Sequence, residues 1–75
     1  MNYVCTNRHS MVTVRKSPEL LPPDACDISA FPSSLAAIYY AVETALENKW
    51  ELDADEYDPE LIKAGTAFAK NRKRD

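Results

Sequence analysis

The sequence predicts a small α+β domain in which an N-terminal β-hairpin packs on two main α-helices, with a short helical turn between. Three observations carry this. Over residues 33–50, Leu35, Ile38, Val42, Ala45, Leu46 and Lys49 recur at steps of three and four, the period of a helix with one apolar face. Residues 2–15 are rich in Val, Thr and Tyr around Asn7-Arg8-His9-Ser10, as in two strands and a turn. Asp58-Pro59-Glu60-Leu61 has the order of a helix start: an acidic cap, Pro at the first helical position and Glu in the first turn. The chain has 75 residues, enough for one domain with a thin core, since so short a chain buries only about 60% of its unfolded surface.

The hairpin joins Asn2–Thr6 to Met11–Arg15. A four-residue loop sets Thr6 against Met11, Cys5 against Val12, Val4 against Thr13 and Tyr3 against Val14. The more apolar face is then Tyr3, Cys5, Val12 and Val14, and register fixes the whole set together. A two-stranded ribbon is marginal alone, so it must pack on the helices or pair with a second copy.

Residues 17–32 read as a turn and a linker. Ser17-Pro18-Glu19-Leu20-Leu21 starts like a helix, and Pro22-Pro23 stops it within a turn. Leu20 and Leu21 are expected to plug the core, with Ile28 and Phe31 tucked beneath the linker.

The main helix spans 33–50 with Ser33 or Ser34 as its cap. Tyr39 and Trp50 lie along one flank of its apolar stripe. At ~100° per residue, Tyr40 falls on the opposite side with Ala36, Ala37 and Thr44, beside Glu43 and Glu47. An acidic connector covers 51–58. The second helix, 59–73, carries Leu61, Ala64, Gly65 and Phe68 as its apolar stripe and ends in basic residues. Gly costs ~1 kcal/mol relative to Ala inside a helix. Gly65 therefore predicts a close crossing, against Ala41 or Ala45 of the first helix.

Charge divides the C-terminal third. Glu51, Asp53, Asp55, Glu56, Asp58 and Glu60 occur without a base, and Lys63, Lys70, Arg72, Lys73 and Arg74 follow with the single acid Asp75. The formal net charge is −3. No apolar run approaches the ~18 residues of a membrane span. The N-terminus lacks the charged and apolar regions of a signal peptide. The expected location is cytoplasmic, and Cys5 and Cys26 are expected as free thiols.

Metal, catalysis and nucleic acid were weighed in turn. Cys5, His9 and Cys26 supply three soft ligands where structural zinc wants four in paired spacings, so a zinc module is a weak alternative and a buried Cys5 with a turn His9 the plainer reading. A calcium loop from Asp53 fails, with Asp58 where Gly belongs and Ala64 where Glu belongs. One His in a surface turn, with no nucleophile elbow or phosphate loop, gives no catalytic set, and the chain is expected not to be an enzyme and to need no cofactor. Lys63, Lys70 and Arg74 share a side of the second helix, with Lys73 close by, and offer a basic stripe to phosphates. The net negative charge and the absence of interleaved aromatics argue against that use.

Protein binding is the leading expectation. Tyr40 on the small-residue surface of Ala36, Ala37 and Thr44, with Trp50 and Tyr57 set among acids, has the make-up of interface anchors. The expected role is a small regulatory protein that masks a surface of a protein partner, with self-association as a homodimer open. A chain of this size and style suits the accessory proteins of phages and other mobile elements.

Overall fold

The computed structural model describes residues 1–7 and 10–72. It is an α+β domain of four strands, two helices and a 3₁₀ turn. The order is β1 (Asn2–Asn7), β2 (Met11–Arg15), the 3₁₀ turn (Pro18–Leu20), β3 (Cys26–Phe31), α1 (Ser34–Asn48), β4 (Glu51–Asp53) and α2 (Pro59–Arg72). The strands form one mixed sheet in the order β3-β1-β2-β4. β1 runs antiparallel to β2 and β3, while β4 is parallel to β2.

Two crossovers follow from this order. Residues 16–25 take the chain from β2 back to β3, and α1 takes it from β3 across to β4. They travel in opposite directions across parallel strands, so right-handed connections lie on opposite faces of the sheet. The face under α1 carries Val4, Val12 and Val14, all at 1% exposure or less. The other face carries Cys5 and Thr13, at 0% and 2%. Burial there fits coverage by the 16–25 strap, whose Leu21, Pro22, Asp24 and Ala25 are half-buried.

The hairpin register is one residue off the sequence expectation. Asn7 pairs with Met11, Thr6 with Val12, Cys5 with Thr13 and Val4 with Val14. Only three residues are left in the loop, and its last, Ser10, is left-handed at φ 57°, as a three-residue hairpin loop requires. The shift turns β1 over: Val4 enters the main core and Tyr3 and Cys5 face the strap. The linker expected over 24–32 contains β3, and the connector expected over 51–58 contains β4. Ile28 and Leu20 are 55% and 52% exposed, so neither plugs the core, whereas Phe31 packs against it.

Ser33 caps α1 by accepting from the Ala36 N–H, and Lys49 stops it at φ 57°. The buried face is Ala37, Ile38, Ala41, Val42 and Ala45. This face is rotated from the expected stripe, for Leu35 is 53% exposed. The helix must serve two neighbours: the sheet, and α2 on the flank of Ile38. Ala37 and Ala41 carry nothing beyond a methyl group, which lets the helix lie close to the strands.

Asp58 caps α2 through its Oδ1, which accepts from the Glu60 N–H at 2.9 Å. Gly65 marks the closest approach to α1. A Cβ placed there would stand 2.8 Å from Cγ2 of Ile38 and 3.7 Å from the Tyr39 nitrogen. The close crossing therefore exists, but against Ile38 rather than Ala41 or Ala45.

Two polar ties hold the elements in place. Asn2, 7% exposed, donates to the Phe31 carbonyl at 3.2 Å. Its Oδ1 accepts from Ser34 at 3.2 Å and from the Tyr57 hydroxyl at 2.7 Å. One side chain thus joins β1, β3, the start of α1 and the turn before α2. Arg15 binds Asp53 through both guanidinium nitrogens, at 3.3 and 2.8 Å, and fastens the short β4 to β2. The bond from Arg15, more than the opposing burial, holds the Asp53 carboxyl below its ordinary range.

Candidate binding surfaces

Two concave surfaces flank α1. The first lies between α1 and α2. Leu35, Ala36 and Tyr39 line it from α1, and Ala64 and Phe68 from α2, around a volume of ≈390 Å³. Tyr39 and Phe68 meet edge to face, with ring centres 5.3 Å apart at 89°, a preferred aromatic geometry. Phe68 is nonetheless 67% exposed. The groove exists because Gly65 draws the two helices together at one line, and the bulky side chains beside that line splay outward. Among the described residues no charged side chain lines it.

The second surface is a cleft of ≈470 Å³ between α1 and β3. Val4 from β1, Ile28 and Ser29 from β3, Tyr40 and Thr44 from α1, and Trp50 after it are among the residues that line it. The Tyr40 ring also packs on Phe31, at 5.2 Å between centres. The Thr44 hydroxyl donates to the Tyr40 carbonyl and the Asn48 amide to the Thr44 carbonyl, each at 2.9 Å. Those donors serve the helix itself. Asp27 lines the rim from a left-handed backbone at φ 49°, where the β1–β3 register shifts by a bulge.

The surface expected around Tyr40 is divided by this arrangement. Ala36 is exposed but belongs to the groove beside α2; Tyr40, 42% exposed, and half-buried Thr44 belong to the cleft. Ala37, expected beside them, has no exposure and belongs to the core. Trp50 is half-buried and shares the cleft with Tyr40 rather than an acidic surface with Tyr57. Tyr57 is 5% exposed, with its hydroxyl committed to Asn2. It is a core residue and not an interface anchor. Burial is also the main cause that raises its phenol pKa.

Lys63 and Lys70 are exposed on α2, while Lys73 and Arg74 lie outside the described residues. His9 also lies outside them. Cys5 is buried and Cys26 exposed, and desolvation raises the Cys5 thiol pKa, which keeps it protonated. Among the described residues no group of three or more His, Cys, Asp or Glu is placed to hold a metal. Among them, too, no helix is long and apolar enough to cross a membrane.

Leu35, Tyr39 and Phe68 as a joint surface, and Asp27 with Ile28 at the cleft, escaped sequence reasoning. A helical period reveals that Leu35 and Tyr39 share a flank. It does not reveal that the partner helix stops short of covering them. No protein-family model, curated protein or solved structure matches the chain.

Proposed function

We propose that this chain is a non-enzymatic protein-binding module that masks a partner's surface by docking it on the groove between α1 and α2. One observation carries the reading: Phe68 and Leu35, 67% and 53% exposed, adjoin Tyr39 in a concave apolar surface that no charged side chain lines among the described residues. Contiguous apolar surface on so small a chain marks interaction sites. Aromatic side chains at the centre of such a patch are the usual anchors of binding energy. The partner surface it fits is apolar and convex, such as the face of an amphipathic helix laid between α1 and α2.

The test compares wild type with Phe68→Asp and Leu35→Asp, and with Lys63→Asp as a surface control. Sedimentation across micromolar concentrations comes first and reads self-association. A photo-crosslinking residue at position 36 then captures the occupant in cells that encode the protein. The groove variants abolish capture of a discrete partner and the control retains it. Equal capture by wild type and Phe68→Asp refutes the reading. A dimer that Phe68→Asp dissociates makes a second copy the occupant.

A further inference from the structure

We propose that the cleft between α1 and β3 is a binding site for an alkyl-ammonium or guanidinium group, as borne by a lysine or arginine side chain or by a free amine. The site is separate from the α1–α2 groove and does not rest on the role given to it. Its volume, ≈470 Å³, falls within the few hundred to ~1,000 Å³ of sites that take small ligands. The lining has the composition such a ligand needs. Ile28, 55% exposed, offers apolar surface to an alkyl stem. Tyr40 and Trp50 offer ring faces, which attract cations through their quadrupole. Among the described residues Asp27 is the single charged side chain lining the cleft. Among the described residues it forms no ion pair and its carboxylate accepts no hydrogen bond.

The charge therefore selects the ligand. An unpaired carboxylate in a cleft that two aromatic residues also line repels anions, gains nothing from a neutral guest, and pairs with a cation. The other polar groups are compatible, because Thr44 and Asn48 direct their donors to helix carbonyls. Tyr40 is held upright by Phe31, so the wall exists before the ligand arrives, which lowers the ordering entropy of binding. The backbone at Asp27 fits the same reading. Non-glycine residues held at positive φ occur preferentially at ligand sites, and here that residue carries the only charge among the described lining residues.

Trp50 is the single tryptophan of the chain and so reports directly on the cleft. Purified full-length protein is titrated with n-butylammonium and n-butylguanidinium chloride while Trp50 emission is followed, with 1-butanol and sodium butyrate as neutral and anionic counterparts. Both cations give a saturable change at millimolar concentration that weakens as salt is added; butanol and butyrate do not. Asp27→Asn keeps the shape and tolerates the left-handed backbone, and it weakens cation binding at least about fivefold, as does Tyr40→Leu. Phe68→Asp leaves it unchanged, which separates this site from the groove.

Capped tripeptides centred on Lys, Arg or Gln distinguish the source. Lys or Arg peptides binding about tenfold tighter than the free amines assign a protein side chain as the ligand, and equal binding assigns a free amine. Butanol binding as well as butylammonium, cation binding that survives Asp27→Asn, or no saturable change with any cation overturns the proposal.

Discussion

Gly65→Ala tests the closest contact in the fold. A Cβ at position 65 would lie 2.8 Å from Cγ2 of Ile38, where ordinary contacts begin at 3.4 Å. Ile38 or the whole of α2 must therefore retreat by about 0.6 Å. Cγ2 is fixed to a β-branched carbon, and Ile38 has no exposure, so it has no rotamer into which to escape cheaply. Overpacking of this kind costs about 1–3 kcal/mol. Against it stands the helix propensity of Ala over Gly, about 1 kcal/mol. The net is a loss of about 1 kcal/mol, or a Tm lower by about 4–8 °C in a chain of this size. Ala67→Gly, at an exposed position of the same helix, measures the propensity term in place. Subtracting it isolates the steric term. Ile38→Leu removes the offending branch at a cost below about 1.5 kcal/mol, and the double variant should recover stability beyond additivity. The assay is thermal and urea unfolding of wild type and the four variants. A Gly65→Ala variant that gains as much stability as Ala67→Gly loses would show that the helices do not touch at this line.

Three further outcomes follow from single contacts. Tyr57→Phe removes a 2.7 Å bond to Asn2 but leaves that oxygen its Ser34 partner, so it should cost about 1 kcal/mol in urea unfolding; no loss would mean that the tie does not set α2. Asp53 is paired with Arg15 and its folded pKa lies below the ordinary 3.8, so its stabilising contribution is complete above that value and is lost as pH falls through the folded pKa. Asp53→Asn should thus be weaker than wild type at pH 7 and approach it as pH falls through the folded pKa of Asp53, read as urea midpoints. Lys49→Gly relieves a left-handed residue at φ 57° and should raise stability by about 0.5–1 kcal/mol; a lower Tm would place that residue outside the left-handed region.

What could be read from the sequence was local. The α+β class and the positions of both helices were legible, because Ser33, Asp58 and Pro59 cap or start them and the apolar period runs between. β3 was not. Its sequence, CDISAF, is short and holds Asp, Ser and Ala, which are not strand formers, and it becomes a strand only by pairing with β1, 20 or more residues away. β4 has three residues, too few for any period. The register hinged on Ser10 entering a conformation that residues other than Gly adopt rarely. Angular position on the helix sets Ala37 beside Tyr40 on the outer side, yet Ala37 and Ala41 form a buried row. It is the face that meets the sheet because only small side chains fit there. Tyr57 looked like an anchor among acids. Its burial depends on Asn2, 55 positions away, which no local pattern reveals.

The same reasoning separates what the fold needs from what it merely permits. α2 has no sheet beneath it, and one helix can cover only part of another. Gly65 and Ala69 occupy the covered line, with Leu61 and Ile62 half-buried against the core. The positions flanking that line must stay in solvent whatever residue they hold. At position 63 the chain uses Lys, as a solvated position favours. At 35 and 68 it uses Leu and Phe, each more than half exposed. Folding gains little from a side chain that remains in water, because the hydrophobic gain scales with area removed from it. The edge contact between Tyr39 and Phe68 recovers about 1 kcal/mol, which helps place the rings but does not account for Leu35 beside them. The apolar character of this groove therefore exceeds what the core requires, and the excess is confined to the concave side where α1 and α2 diverge. Surface left uncovered by the fold's geometry, and filled with anchor residues rather than charges, is the strongest physical reason to place the partner there.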